Sequence, residues 1–134
     1  MIKKINHIGI AVKNLGLSAE LFSKLFEQSS PQIEHVPQQK ATIAFYPVGE
    51  SSCELIESTS ADSAIAKFIE KRGEGIHHIC LEVDNIRAEI ARLKQHGFQF
   101  VNDQPSEGGD GYLVTFLHPK STNGVLIELA EKMR

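Results

Sequence analysis

The stretch His7-Ile8-Gly9-Ile10-Ala11-Val12-Lys13-Asn14-Leu15 returns 71 residues later as His78-Ile79-Cys80-Leu81-Glu82-Val83-Asp84-Asn85-Ile86. His, Ile, Val and Asn recur identically, and two further positions exchange Ile and Leu. Both copies have the alternating spacing of a strand buried on at least one face. A chain built from two such copies folds as two similar modules, and whatever its opening strand presents is presented twice.

An amphipathic helix pattern follows each copy. Leu17, Leu21, Phe22 and Leu25 form the apolar stripe of the first, while Ile86, Ile90 and Leu93 form that of the second, which Gly97 stops. Strand-like runs come next: Gln32–Val36, Ala41–Val48 and Cys53–Glu57, then Gln99–Asn102, Leu113–Leu117 and Val125–Ala130. Turn signals at Pro47-Val48-Gly49, Gly108-Gly109-Asp110-Gly111 and Asn123-Gly124 separate them.

The reading is α+β: one domain over residues 1–134, made of two βαβββ modules at about 1–58 and 76–134. A helical linker at about 59–75 carries Ala64, Ile65, Phe68 and Ile69 at helical spacing, with Ser60 or Asp62 as its N-cap and Arg72-Gly73 as its end. Two curved half-sheets of this kind enclose a pocket when their concave faces meet, and the opening strands then bring repeat-related residues to its centre.

Composition narrows the partners. The chain of 134 residues is 41% hydrophobic, the amount an ordinary core needs, and carries a net charge of −3 with no basic patch for nucleic acid or anionic lipid. No apolar run approaches the roughly 20 residues of a membrane span, and Met1-Ile2-Lys3-Lys4 leads directly into a patterned segment. A cytoplasmic protein acting on a small molecule is expected. Cys53 and Cys80 sit in strand-like runs as small apolar residues and are expected as free thiols.

His7 and His78 occupy one repeat position, and imidazole is a common ligand for divalent transition metals. A lone strand histidine is usually a hydrogen-bonded structural residue, but the repetition favours ligation. Each module also ends in a strand with a carboxylate among apolar residues, which is costly unless paired or bound to a cation. In the second, Val125, Ile127 and Leu129 share one face, assigned to the helices, so Glu128 points the other way. In the first, Glu54 and Glu57 face opposite sides, and the repeat alone supports either. Two imidazoles with two carboxylates suit Co²⁺, Mn²⁺, Ni²⁺, Fe²⁺ or Zn²⁺ better than a Ca²⁺ cage.

These features resemble the glyoxalase/bleomycin-resistance, or vicinal-oxygen-chelate, superfamily over essentially the whole chain. Within it, Ile65-Ala66-Lys67-Phe68, Gly73-Glu74-Gly75-Ile76-His77-His78-Ile79, Phe116-Leu117-His118-Pro119-Lys120-Ser121 and Gly124-Val125-Leu126-Ile127-Glu128-Leu129 resemble the methylmalonyl-CoA epimerases. The resemblance implies a metal held by His7, Glu54, His78 and Glu128, with Co²⁺ or Mn²⁺ favoured, and leaves His77 facing a core or neighbouring strand. It implies epimerisation of an acyl-CoA substrate through a metal-stabilised enolate, with Glu128 as one proton-transfer group and Glu54, a water or another residue as the second, substrate contacts at Lys120 and Ser121, and a homodimer. Some relatives carry a second catalytic glutamate at about Thr42, where this chain has none. A glyoxalase I type lyase and a non-catalytic ligand-sequestering protein of the bleomycin-resistance kind are the alternatives. His35, His96 and His118 have no repeat partner and are assigned to the surface or to turns.

Overall fold

Side chains alternate across a strand, so each strand here divides its residues between two faces that meet different neighbours. The computed structural model describes residues 1–133. In chain order it has β1 (Ile2–Ala11), α1 (Leu15–Phe26), β2 (Gln32–Val36), β3 (Ala41–Val48), β4 (Ser51–Ser58), α2 (Ala64–Arg72), β5 (Gly75–Val83), α3 (Ile86–Gln95), β6 (Ser106–Glu107), β7 (Tyr112–Leu117) and β8 (Ile127–Lys132). This is the two-module α+β pattern expected from the repeat. Short 3₁₀ turns occupy Pro37–Gln39 and Pro119–Ser121.

The chain forms two compact units, one of Ile8–His77 and one of Met1–His7 with the chain from His78 onward. The first unit has the strand order β2-β3-β4-β1 and the second β1-β5-β8-β7-β6, so β1 contributes its end to one and its beginning to the other. In the first, β2, β3 and β4 pair antiparallel, with Ile43 opposite Ile56 and Phe45 opposite Glu54. Ala44, Tyr46 and Leu55 pack with Leu15, Phe22 and Phe26 of α1, while Ala41, Ile43 and Ile56 pack with Ile65, Phe68 and Ile69 of α2.

The second unit pairs β5 parallel with β8, and β8 antiparallel with β7. Ile86, Ile90 and Leu93 of α3 bury against Val83, Leu117 and Leu129, as the helical spacing predicts. Each such side chain contributes about 1.5–3 kcal/mol when fully buried. Leu81 and Ile127 join this cluster, which leaves His78, Cys80, Glu82, Glu128 and Ala130 on the opposite strand faces.

Both α1 and α3 begin with the same device. Asn14 accepts a hydrogen bond from Leu17 N at 3.0 Å, and Asn85 from Ala88 N at 3.0 Å. A glutamate from each module's last long strand then takes one more exposed helix donor: Leu15 N donates to Glu57 at 3.2 Å, and Ile86 N to Glu131 at 2.7 Å. Each carboxylate satisfies an amide that has no partner within its helix and complements the positive end of the helix dipole.

Several elements depart from the sequence reading. In α1 the core side is Leu15, Phe22 and Phe26, whereas Leu17, Leu21 and Leu25 are exposed. The leucines have the correct period but lie on the wrong side of the helix. Ser63, not Ser60 or Asp62, caps α2 by accepting from Ala66 N at 3.0 Å, and the helix ends at Arg72-Gly73 as expected. Gln99–Asn102 makes only a bridge from Phe100 to Leu117. The short β6 lies further on, at Ser106–Glu107. Strand β8 starts at Ile127 because Gly124, at φ 85°, and the bond from Val125 N to Thr122 O prolong the turn.

Glu57→Ala and Glu131→Ala should each lower stability by about 1–2 kcal/mol by uncapping a helix. Leu21→Ser, on the exposed side of α1, should change it by less than about 0.5 kcal/mol. Urea denaturation of the three variants checks both statements.

Candidate functional site

The second unit gathers three electron-rich side-chain atoms at one point. His7 comes from β1, His78 from the helix-free face of β5, and Glu128 from the same face of β8, where it sits in register with Cys80. His7 Nε2 lies 3.0 Å from His78 Nε2. Glu128 Oε1 is 3.4 Å from His7 Nε2 and 3.1 Å from His78 Nε2. His78 and Glu128 are buried, and His7 is nearly so.

Two imidazole lone pairs and a carboxylate repel one another in a buried setting unless a cation or a proton lies among them. Ligands about 2.1 Å from an ion and at right angles to each other stand about 3.0 Å apart. The observed edges of 3.0, 3.1 and 3.4 Å therefore have the size of one face of a divalent-metal coordination shell. Nitrogen and oxygen donors together fit a first-row transition ion rather than a hard all-oxygen cage. Burial alone would raise the Glu128 pKa, but hydrogen bonds and charge from His7 and His78 outweigh it and hold the group at about 2. Glu128 is thus an anionic donor at neutral pH.

The surroundings complete the site. His7 Nδ1 is 2.7 Å from Asn6 Oδ1, and Asn6 Nδ2 donates to Glu82 Oε1 at 3.0 Å. The Phe116 ring stands edge-on to His78 with centroids 6.0 Å apart. Cys80, Val114 and Ala130 form a small apolar floor beside Tyr112. Sγ of Cys80 and the ligand atoms of His7 and Glu128 all lie within 4.8 Å of one another, so Cys80, read from sequence as a small apolar residue, also borders the donor set. Both cysteines are free thiols, as expected.

In the first unit, Glu54 is buried on β4, on the face it shares with Ile56. Glu57 points to the α1 side and caps that helix. The ambiguity between them ends there, because Glu131 performs the same capping task in the other module. The pairs Glu54/Glu128 and Glu57/Glu131 have a common offset of 74 residues, which makes Glu54 the counterpart of Glu128. His77 faces the edge of the Phe68 ring at 5.0 Å, a packing role.

Thr42 faces away from Glu54. It lies on the strand face of Ala44 and Tyr46, opposite the face that holds Glu54, and its hydroxyl is 3.2 Å from His35 Nδ1. Ile43 and Phe45 are the β3 side chains on the Glu54 face. Thr42 is therefore not the position at which an acid or base beside Glu54 would be supplied.

Lys120 and Ser121 occupy the 3₁₀ turn before β8. They border a groove of about 460 Å³ completed by His96, Gly97, Phe98 and Gln99. Ser121 Oγ accepts from Gln99 N at 2.9 Å, and the His118 ring caps the turn from Lys120 N at 3.2 Å. The sequence reading missed Asn6, Glu82, Tyr112 and the groove position of His96. Glu82 was legible as a carboxylate at the fourth place after His78 on an alternating strand; Asn6 and His96 had no repeat or spacing to mark them.

Residues 6–116 match the family model of the glyoxalase/bleomycin resistance protein/dioxygenase superfamily. The ethylmalonyl-CoA/methylmalonyl-CoA epimerase of Cereibacter sphaeroides is 38% identical, covering 98% of this chain and 99% of that protein. The mitochondrial methylmalonyl-CoA epimerase of Dictyostelium discoideum is 40% identical, covering 98% and 80%. A solved glutamate-to-leucine variant of the Streptomyces coelicolor methylmalonyl-CoA epimerase, in complex with 2-nitronate-propionyl-CoA, superposes with a TM-score of 0.86 at 31% identity over 98% of this chain and 96% of that one. With these relatives spanning nearly its whole length, the chain belongs to the glyoxalase/bleomycin resistance protein/dioxygenase superfamily and, within it, to the methylmalonyl-CoA epimerases.

Proposed function

We propose that this enzyme epimerises methylmalonyl-CoA at the carbon between thioester and carboxylate, using a divalent metal held by His7, His78, Glu128 and Glu54. The observation that carries the metal assignment is the convergence of His7 Nε2, His78 Nε2 and Glu128 Oε1 with edges of 3.0 to 3.4 Å. Glu54 enters as the repeat counterpart of Glu128. Co²⁺ or Mn²⁺ is the favoured ion, with Ni²⁺, Zn²⁺ and Fe²⁺ compatible with the same donors. When bound, such an ion supplies Lewis-acid stabilisation of the negative charge that develops on the substrate oxygens as the proton leaves.

The side chains perform the remaining work. Epimerisation removes a proton from one face of the carbon and returns one to the other, which takes one group that accepts a proton and one that donates it. Glu54 and Glu128 are assigned these roles. The two imidazoles beside Glu128 hold its carboxyl in the anionic form. The apolar floor of Cys80, Val114 and Ala130 and the Phe116 ring exclude water beside the donors, which strengthens each electrostatic contact made there. Lys120 and Ser121, which border the groove lined by His96, Gly97, Phe98 and Gln99, are assigned to anionic groups of the acyl-CoA. The working form is proposed to be a cytoplasmic homodimer.

Two measurements test this reading. Solvent deuterium should enter the 2-position of methylmalonyl-CoA with the Co²⁺-loaded enzyme, and His7→Ala should slow that exchange by about a hundredfold or more, as loss of charge stabilisation at a reacting centre does. Wild-type enzyme that leaves the proton unexchanged, with or without metal, would refute the epimerase assignment. Lys120→Ala should raise KM by about tenfold, or ~1.4 kcal/mol, with kcat unchanged, since it removes a contact made equally in ground and transition states. An unaltered KM removes Lys120 from the substrate site.

A further inference from the structure

We propose that Asn6, Glu82 and Tyr112 form a positioning relay that fixes which nitrogen of His7 carries the proton, and thereby sets the metal affinity of the site. The inference rests on the metal-site reading above. It concerns a set of residues outside the proposed ligands.

Glu82 anchors the relay at its far end from His7. As a carboxylate it only accepts hydrogen bonds. It is buried on β5 and accepts from Asn6 Nδ2 at 3.0 Å and from the Tyr112 hydroxyl at 3.4 Å. Tyr112 keeps its proton for this purpose, because burial and the Glu82 charge both push its pKa up. The Asn6 amide nitrogen also approaches the Tyr112 oxygen at 3.4 Å, so its N–H₂ side is directed to this pair.

An amide whose nitrogen is held in this way has only its oxygen left for the other side. Asn6 Oδ1 lies 2.7 Å from His7 Nδ1. A carbonyl oxygen accepts and never donates, so Nδ1 is the protonated nitrogen of His7. In the neutral ring Nε2 then holds the lone pair, and Nε2 is the atom 3.0 Å from His78 Nε2 and 3.4 Å from Glu128. Flipping the Asn6 amide would set its oxygen against the Glu82 carboxylate and its N–H₂ against the Nδ1 proton. Restoring a bond to Nδ1 would then require the other tautomer, with a proton on Nε2 and no lone pair for an ion. The relay makes that state unfavourable at both ends.

The relay is confined to one module. The repeat counterpart of Asn6 is His77, which packs edge-on against Phe68. The chain therefore evolved this support for His7 after the modules diverged, or lost its twin.

The test uses the full chain. In metal-free protein labelled with ¹⁵N-histidine, at a pH where imidazole is neutral, two-bond ¹⁵N–¹H correlations should report His7 protonated at Nδ1. Glu82→Gln keeps an acceptor oxygen for Asn6 and should retain both this tautomer and the wild-type Co²⁺ affinity. Asn6→Leu and Glu82→Leu should change the tautomer balance and weaken Co²⁺ binding, read by calorimetry, by about 10- to 100-fold, the usual effect of removing a partner behind a metal ligand. Circular dichroism selects variants that remain folded, and two independent leucine variants guard against the loss of one. Folded Asn6→Leu and Glu82→Leu with wild-type tautomer and Co²⁺ affinity would overturn the relay while leaving the epimerase reading intact. Wild-type protein that binds no Co²⁺ would instead overturn the metal reading, and the His7 tautomer, read without metal, would still decide the relay.

Discussion

A carboxylate buried between two imidazoles is the demand around which the second unit is arranged. Glu128 is anionic in a place where charge is costly, and the compensation comes from His7 and His78, which approach from two other strands. Three strands must therefore agree in register to within a fraction of a residue spacing. The parallel pairing that sets Cys80 beside Glu128, and the antiparallel pairing that sets Phe116 on its other side, provide that agreement. The packing of Ile127 and Leu129 on α3 fixes which face Glu128 occupies.

Duplication explains why these demands can be met by a small chain, and divergence explains why the modules are not equivalent. Both modules retain an asparagine at the start of the helix and a strand glutamate closing over it. The partners behind the two histidines differ: Asn6 with Glu82 behind one, and at the equivalent position of the other a histidine set against a phenylalanine. Features that hold a helix on a sheet have been kept in duplicate, whereas the polar environment of the donors has been adjusted separately in each half.

Much of this was legible from the chain. The repeat gave the two-module architecture, and alternation along Ile127-Glu128-Leu129 gave the direction of Glu128. What failed did so for physical reasons. Leu17, Leu21 and Leu25 have helical spacing, but the buried side of α1 is decided by Leu15, Phe22 and Phe26 meeting Tyr46, a tertiary match that periodicity does not encode. Gln99–Asn102 has strand-like composition, yet the chain there exchanges only scattered backbone bonds with β7. Thr42 was matched only approximately to the position at which some relatives carry a glutamate, and the pleat puts it on the strand face away from Glu54. Asn6 and Glu82 act through hydrogen bonds across 76 residues, which no local pattern announces.

The spacing of Glu54 and Glu57, repeated in Glu128 and Glu131, carries a consequence for how such a chain can change. An interval of three on a pleated strand is odd, so Glu57 and Glu131 grip the helix behind the sheet while Glu54 and Glu128 point to the opposite strand face. Inserting or deleting a single residue between them would make the interval even and place both carboxylates on one side, leaving either the helix or the site without its acid. Parity thus ties the two tasks together: lineages descended from the duplication are free to exchange residues within these strands, but a change of length there forfeits one task or the other in a single step.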